Sequence, residues 1–97
     1  MLIGKVVGSV VATRKDEKLV NLKLLVVQVH SHANEPTDQY VVAVDSVQAG
    51  QDDMVLFATG SSARQTDLTR DKPADAVIMA VVDSWDLGGE NVYEKWK

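Results

Sequence analysis

The chain has no cysteine, so neither a disulfide nor a thiolate metal site holds it together. Aromatic residues make up only 5% of its 97 positions, too few for a core built on large rings. No apolar run approaches the roughly 20 residues of a membrane-spanning helix. The start, Met1-Leu2-Ile3-Gly4-Lys5, lacks the charged region and long apolar stretch of a secretory signal. Positive charge is also scarce: 10 Lys and Arg stand against 14 Asp and Glu, a formal charge of −4. Such a chain repels phosphate backbones, which argues against a nucleic-acid partner. Together these absences fit a cytoplasmic protein with no membrane partner.

Valine is what the chain has in plenty. The hydrophobic share, 45%, is ordinary for a globular protein, but its β-branched character favours pleated strands. Residues 1–97 are expected to form one domain. So short a chain buries only about 60–70% of its unfolded surface. Its stability must come from its own core or from copies of itself.

The first strand is expected over residues 2–13. One face carries Leu2, Gly4, Val6, Gly8, Val10 and Ala12. Glycine within a strand marks a bend or a close backbone approach, as a tightly curved barrel requires. Residues 14–18 read as a charged turn. The second strand, residues 19–30, is apolar on both faces: Leu22, Leu24 and Val26 on one, Leu25, Val27 and Val29 on the other. A sheet with one wet face would alternate. Barrel interior and neighbouring subunit would supply the two covers. A polar turn follows, then a third strand over residues 39–47, a loop over 48–53, and a short fourth strand over 54–58. Gly60 ends that strand, and Ser61 or Ser62 can cap a helical turn reaching Gln65. A fifth strand is expected over 76–83. Gly88-Gly89 reads as a turn or hinge, and residues 91–97 as an edge strand or arm. The fold class is therefore mainly β: a small five-stranded, OB-like antiparallel barrel with one short helix between strands 4 and 5.

Catalytic chemistry finds little support. Asp45 and Asp83 each end a strand and are candidates for a carboxylate pair, although such residues more often cap turns. Ser61, Ser62 and His30 have no triad spacing. His30 and His32 share a strand face, but two ligands are too few for a metal unless Glu35 or Asp38 joins them. No cofactor is implied. Tyr40 is the single aromatic of strands 2 and 3, a poor stacking platform for single-stranded nucleic acid. An OB-like module binding a ligand or a single strand remains the alternative function. Arg64 reads either as an interface anchor or as a solvated side chain. Trp85 and Trp96 read either as contact surface or as core closure.

Six motifs follow in order: residues 4–13, Lys23-Leu24-Leu25-Val26-Val27-Gln28, residues 42–50, Val55-Leu56, Gly60-Ser61-Ser62-Ala63-Arg64-Gln65 and residues 73–83. As an ordered set they resemble the EutN/CcmL family of microcompartment shell proteins. The resemblance covers nearly the whole chain. It implies a structural homopentamer at the vertices of a polyhedral shell in the bacterial cytoplasm. Its partners would be hexameric shell proteins, and a narrow axial pore is possible. It implies no catalysis. Gln48, Ala49, Gly50, Gln51 and Asp52 are candidates for the loop facing the axis. Ser62, Arg64, Asp83 and Trp85 are candidates for the contact between subunits. The chain departs from the family at Asp52 and Asn21, where glycine is usual. If glycine serves a positive φ there, Asp and Asn are tolerable substitutes.

Overall fold

Residues 1–13, 17, 21–60, 63 and 75–96 are described in the structure, a computed structural model. Among these residues seven strands follow in order: β1 (Leu2–Val10), β2 (Leu24–His30), β3 (Pro36–Asp45), β4 (Met54–Thr59), β5 (Ala76–Val81), β6 (Ser84–Leu87) and β7 (Glu90–Glu94). The first five close into a barrel in the order β1-β2-β3-β5-β4. All its pairings are antiparallel except one. Strands β3 and β5 run parallel where Val44 meets Val77 and Asp45 meets Ile78, which corrects the all-antiparallel expectation. The expected helix falls mostly on residues outside the described set, Ser61, Ser62, Arg64 and Gln65 among them. There is no α-helix among the described residues.

Two strand bounds moved for identifiable reasons. β3 begins at Pro36, three residues before the expected start. A proline lacks the N–H of a ladder but is tolerated as a strand's first residue. β1 stops at Val10 because β2 begins only at Leu24, its partner there.

The alternation of side chains sorts the valines. Val6, Leu25, Val27, Val29, Ala43, Val55, Phe57 and Ile78 point inward into one buried cluster. The only phenylalanine, Phe57, lies at its centre and is fully buried. Their strand neighbours Val44, Ala58 and Val77 point the other way and form a second cluster with Leu22 and Ala63. Leu24 packs on this second cluster. The chain thus covers part of the second apolar face of β2 itself, where the sequence suggested a neighbouring subunit. Val26 differs: its cross-strand partner is Val42, which is 51% exposed.

Gly4 shows why the barrel needs glycine. A Cβ there would sit 2.5 Å from Val27 Cγ1 and 2.6 Å from the Gln28 carbonyl. The β1 backbone presses against β2 at a distance no other residue allows.

The C-terminal arm is a hairpin. Gly88 and Gly89, at φ 58° and 85°, form the two-residue turn between β6 and β7. A turn with two positive φ values matches the twist of the strands it joins.

Candidate functional site

The loop from Ser46 to Asp53 is built from its own carboxylates. Asp45 ends β3 and is only 7% exposed. Its Oδ1 accepts the N–H groups of Val47 (3.0 Å) and Ala49 (3.2 Å). Its Oδ2 lies 3.4 Å from Lys23 Nζ. The same ammonium donates to the Ala49 carbonyl at 3.1 Å. A buried charge needs such compensation, and here each oxygen has a partner. With both flanking N–H groups held, Gln48 adopts φ 59°, a conformation that non-glycine residues rarely take.

The second half of the loop is fastened to β1. Gly50 N–H donates to Asp53 Oδ2 at 2.9 Å, and Asp53 N–H returns a bond to the Gly50 carbonyl at 3.1 Å. Asp52 N–H donates to the Val6 carbonyl (2.8 Å), and Val6 N–H to the Asp53 carbonyl (2.9 Å). The register of β1 on β2 shifts directly after, between Val6 and Gly8. Asp52 itself is at φ 70°. Its carboxylate reaches only to 4.0 Å from Lys5, with both side chains largely exposed, a contact worth little.

The expected axial residues therefore form one braced loop. Gln48, Gln51 and Asp52 are exposed on it, Gly50 is half-buried, and Ala49 is buried in the barrel core. Ala49 is accordingly an anchor of the loop and not part of its surface.

The expected subunit-contact residues are placed differently. Ser62 and Arg64 lie outside the described residues. Asp83 is exposed, and its carbonyl accepts the Lys95 N–H at 2.8 Å. The Lys95 ammonium sits 3.6 Å from Asp53 Oδ1, which draws the end of the hairpin against the loop. Trp85 stacks on Tyr93 with ring centres 5.1 Å apart. Its Nε1–H donates to the His32 carbonyl at 2.8 Å. Trp85 thus ties the hairpin to the β2–β3 turn of its own chain.

The remaining candidates resolve into structural roles. Asp45 is committed to the loop, while Asp83 stands exposed and contributes its backbone carbonyl. His30 Nδ1 donates to Asn34 Oδ1 at 2.9 Å, and Asn34 holds φ 64° in the turn. No group of three or more metal-ligating side chains occurs among the described residues. Sequence reasoning missed Lys23 and Asp53. The missed signal for Asp53 was its spacing from Gly50, three residues, which suits an aspartate closing a turn.

A family profile described as "Ethanolamine utilisation protein EutN/carboxysome" matches residues 1–83. The carboxysome shell vertex protein CcmL of Gloeobacter violaceus is 40% identical over 95 residues, covering 98% of this chain and 95% of that protein. The microcompartment shell vertex protein EutN of Salmonella typhimurium is 36% identical over 95 residues, covering 98% and 96%. The solved structure of the Gloeobacter violaceus CcmL superimposes with a TM-score of 0.96 at 39% identity, over 100% of both chains. GrpN, a pentameric microcompartment shell protein from Rhodospirillum rubrum, superimposes with a TM-score of 0.82 at 39% identity, over 90% of this chain and 99% of that one.

Proposed function

Because this chain belongs to the EutN/CcmL family, we propose that it is a structural subunit that closes the vertices of a bacterial microcompartment shell as a homopentamer. The observation that carries this reading is the full-length agreement in fold and sequence with a shell vertex protein. The likeness to GrpN, a pentameric shell protein, supports the pentameric assembly. The work of such a subunit is geometric. A flat layer of six-fold units curves into a closed polyhedron only where five-fold units replace them. Its partners are the six-fold shell proteins around it, and its place is the shell in the cytoplasm. It performs no catalysis.

Surface chemistry supports association. Val11 is 90% exposed, Trp96 83%, Tyr40 58% and Val42 51%. Apolar groups at such exposure are better covered, and a closed ring covers two different surfaces of every subunit. The Gln48–Asp52 loop faces the five-fold axis in this reading. Its bracing by Asp45, Lys23 and Asp53 would hold the rim of any axial opening at a fixed width.

Native mass spectrometry tests the assembly. Five chains of 10.6 kDa give a particle of about 53 kDa. A clean monomer at micromolar concentration overturns the proposal. Co-expression with six-fold shell proteins tests the role: closed particles are expected with this chain and open or extended assemblies without it.

A further inference from the structure

Among the described residues, the barrel leaves one strand edge without a partner strand, beginning at the same end as the hairpin. β3 pairs with β2 along its length, but with β5 only at Val44 and Asp45. Its other edge, from Pro36 to Ala43, meets no strand among the described residues. Tyr40 and Val42 on this stretch are more than half exposed. A bare edge with apolar side chains is a template for another strand.

The hairpin offers the complementary element. β6 and β7 pair with each other and with no barrel strand. A two-stranded hairpin in water is marginally stable at best. Residues 91–94 of β7 line an open groove of about 240 Å³. The Trp85 bond to His32 fixes the hairpin beside the turn that leads into β3. Both edges therefore lie at one end of the barrel.

We infer that β7 of each subunit adds as a strand to the bare β3 edge, residues 36–43, of the neighbouring copy. This inference rests on the ring assembly proposed above and deepens it. It supplies the two unlike surfaces that a closed ring needs. Strand addition draws affinity from backbone hydrogen bonds and specificity from alternate side chains. Here Tyr40 and Val42 meet the Val92 side of the hairpin. Asp38, Glu90 and Glu94 carry like charge, so the pairing relies on backbone and apolar contacts, and added salt strengthens it.

The cysteine-free chain permits a clean crosslinking test. Gln39→Cys or Tyr40→Cys is combined with Asn91→Cys or Val92→Cys, which covers both possible faces of the pairing. After oxidation, at least one combination should give a denaturing-gel ladder up to five chains that reductant collapses. Val11→Cys with Val92→Cys, at the opposite end of β1, should give none. If no combination forms a ladder while the samples remain near 53 kDa by native mass spectrometry, strand addition is overturned and the pentamer stands. An oxidised monomer with altered mobility would place the hairpin on its own β3 and equally overturn it. Samples that run as monomers before oxidation overturn both readings.

Discussion

Among the described residues, four other than glycine hold a positive φ: Asn21, Asn34, Gln48 and Asp52. Three are Asn or Asp, whose short polar side chains tolerate this region best. At Asn21 and Asp52, where the sequence resemblance leads to an expectation of glycine, φ is 72° and 70°, a region that suits glycine and that Asn and Asp tolerate. Asp52→Gly should leave thermal stability within about 1 kcal/mol, since relief of strain offsets the gain in unfolded-state freedom. Asp52→Val places a β-branched residue in the same conformation and should destabilise by roughly 1–2 kcal/mol in denaturant melts. Equal melting of the two variants would show that φ at this position carries no strain. Gln48 has no such chemistry in its favour, and its conformation is imposed by the grip of Asp45 on both neighbours. Asp45→Ala strands those two N–H groups and should cost roughly 3 kcal/mol in the same melts. Asp45→Asn keeps an acceptor and should cost less.

Among the elements, β1 separates two kinds of glycine. Gly4 faces Val27, the Gln28 carbonyl and, at 3.0 Å, Phe57 Cε1, so Gly4→Ala forces the backbones of β1 and β2 apart. A loss of about 1–3 kcal/mol is expected, as for overpacked cores. Gly8→Ala meets nothing nearer than Val26 Cβ at 3.9 Å and should be close to neutral; matched melting curves for the two variants would remove Gly4 from its role. The glycines of this strand and the two-faced run of β2 made the barrel legible from sequence. The parallel β3–β5 seam was not, because pairing partners far apart in the chain leave no periodic trace. The hairpin was half legible: Gly88-Gly89 marked the turn, but the strand before it, Ser84–Leu87, alternates too weakly to be read. The braced loop was legible as a loop. Its inner wiring was not, since nothing in the sequence brings Lys23 beside Asp45, twenty-two positions away. Of the expected contact residues, Trp85 turned out to be tied within its own chain. An exposed and an intrachain tryptophan look alike in sequence.

At the scale of the whole molecule, stability and assembly are one equilibrium. The barrel folds around a core of valines and one phenylalanine, and it leaves Tyr40 and Val42 in water. If five chains share these surfaces, unfolding also dissociates the ring, and the melting temperature must depend on concentration. A tenfold dilution removes four-fifths of a tenfold mass-action factor per chain, roughly 1.1 kcal/mol. For a domain near 100 residues this lowers the melting temperature by about 4–8 °C. Differential scanning calorimetry over two decades of concentration reads this directly, and a flat series would separate folding from assembly. The variant Val42→Glu sharpens the measurement. Its side chain is half exposed in the single chain, so the barrel should tolerate the charge. In the ring it would place a carboxylate against the neighbouring hairpin, which already carries Glu90 and Glu94. The expected outcome is a folded protein whose melting temperature no longer moves with concentration. A variant that melts like the parent at every dilution would place the shared surface elsewhere on the barrel.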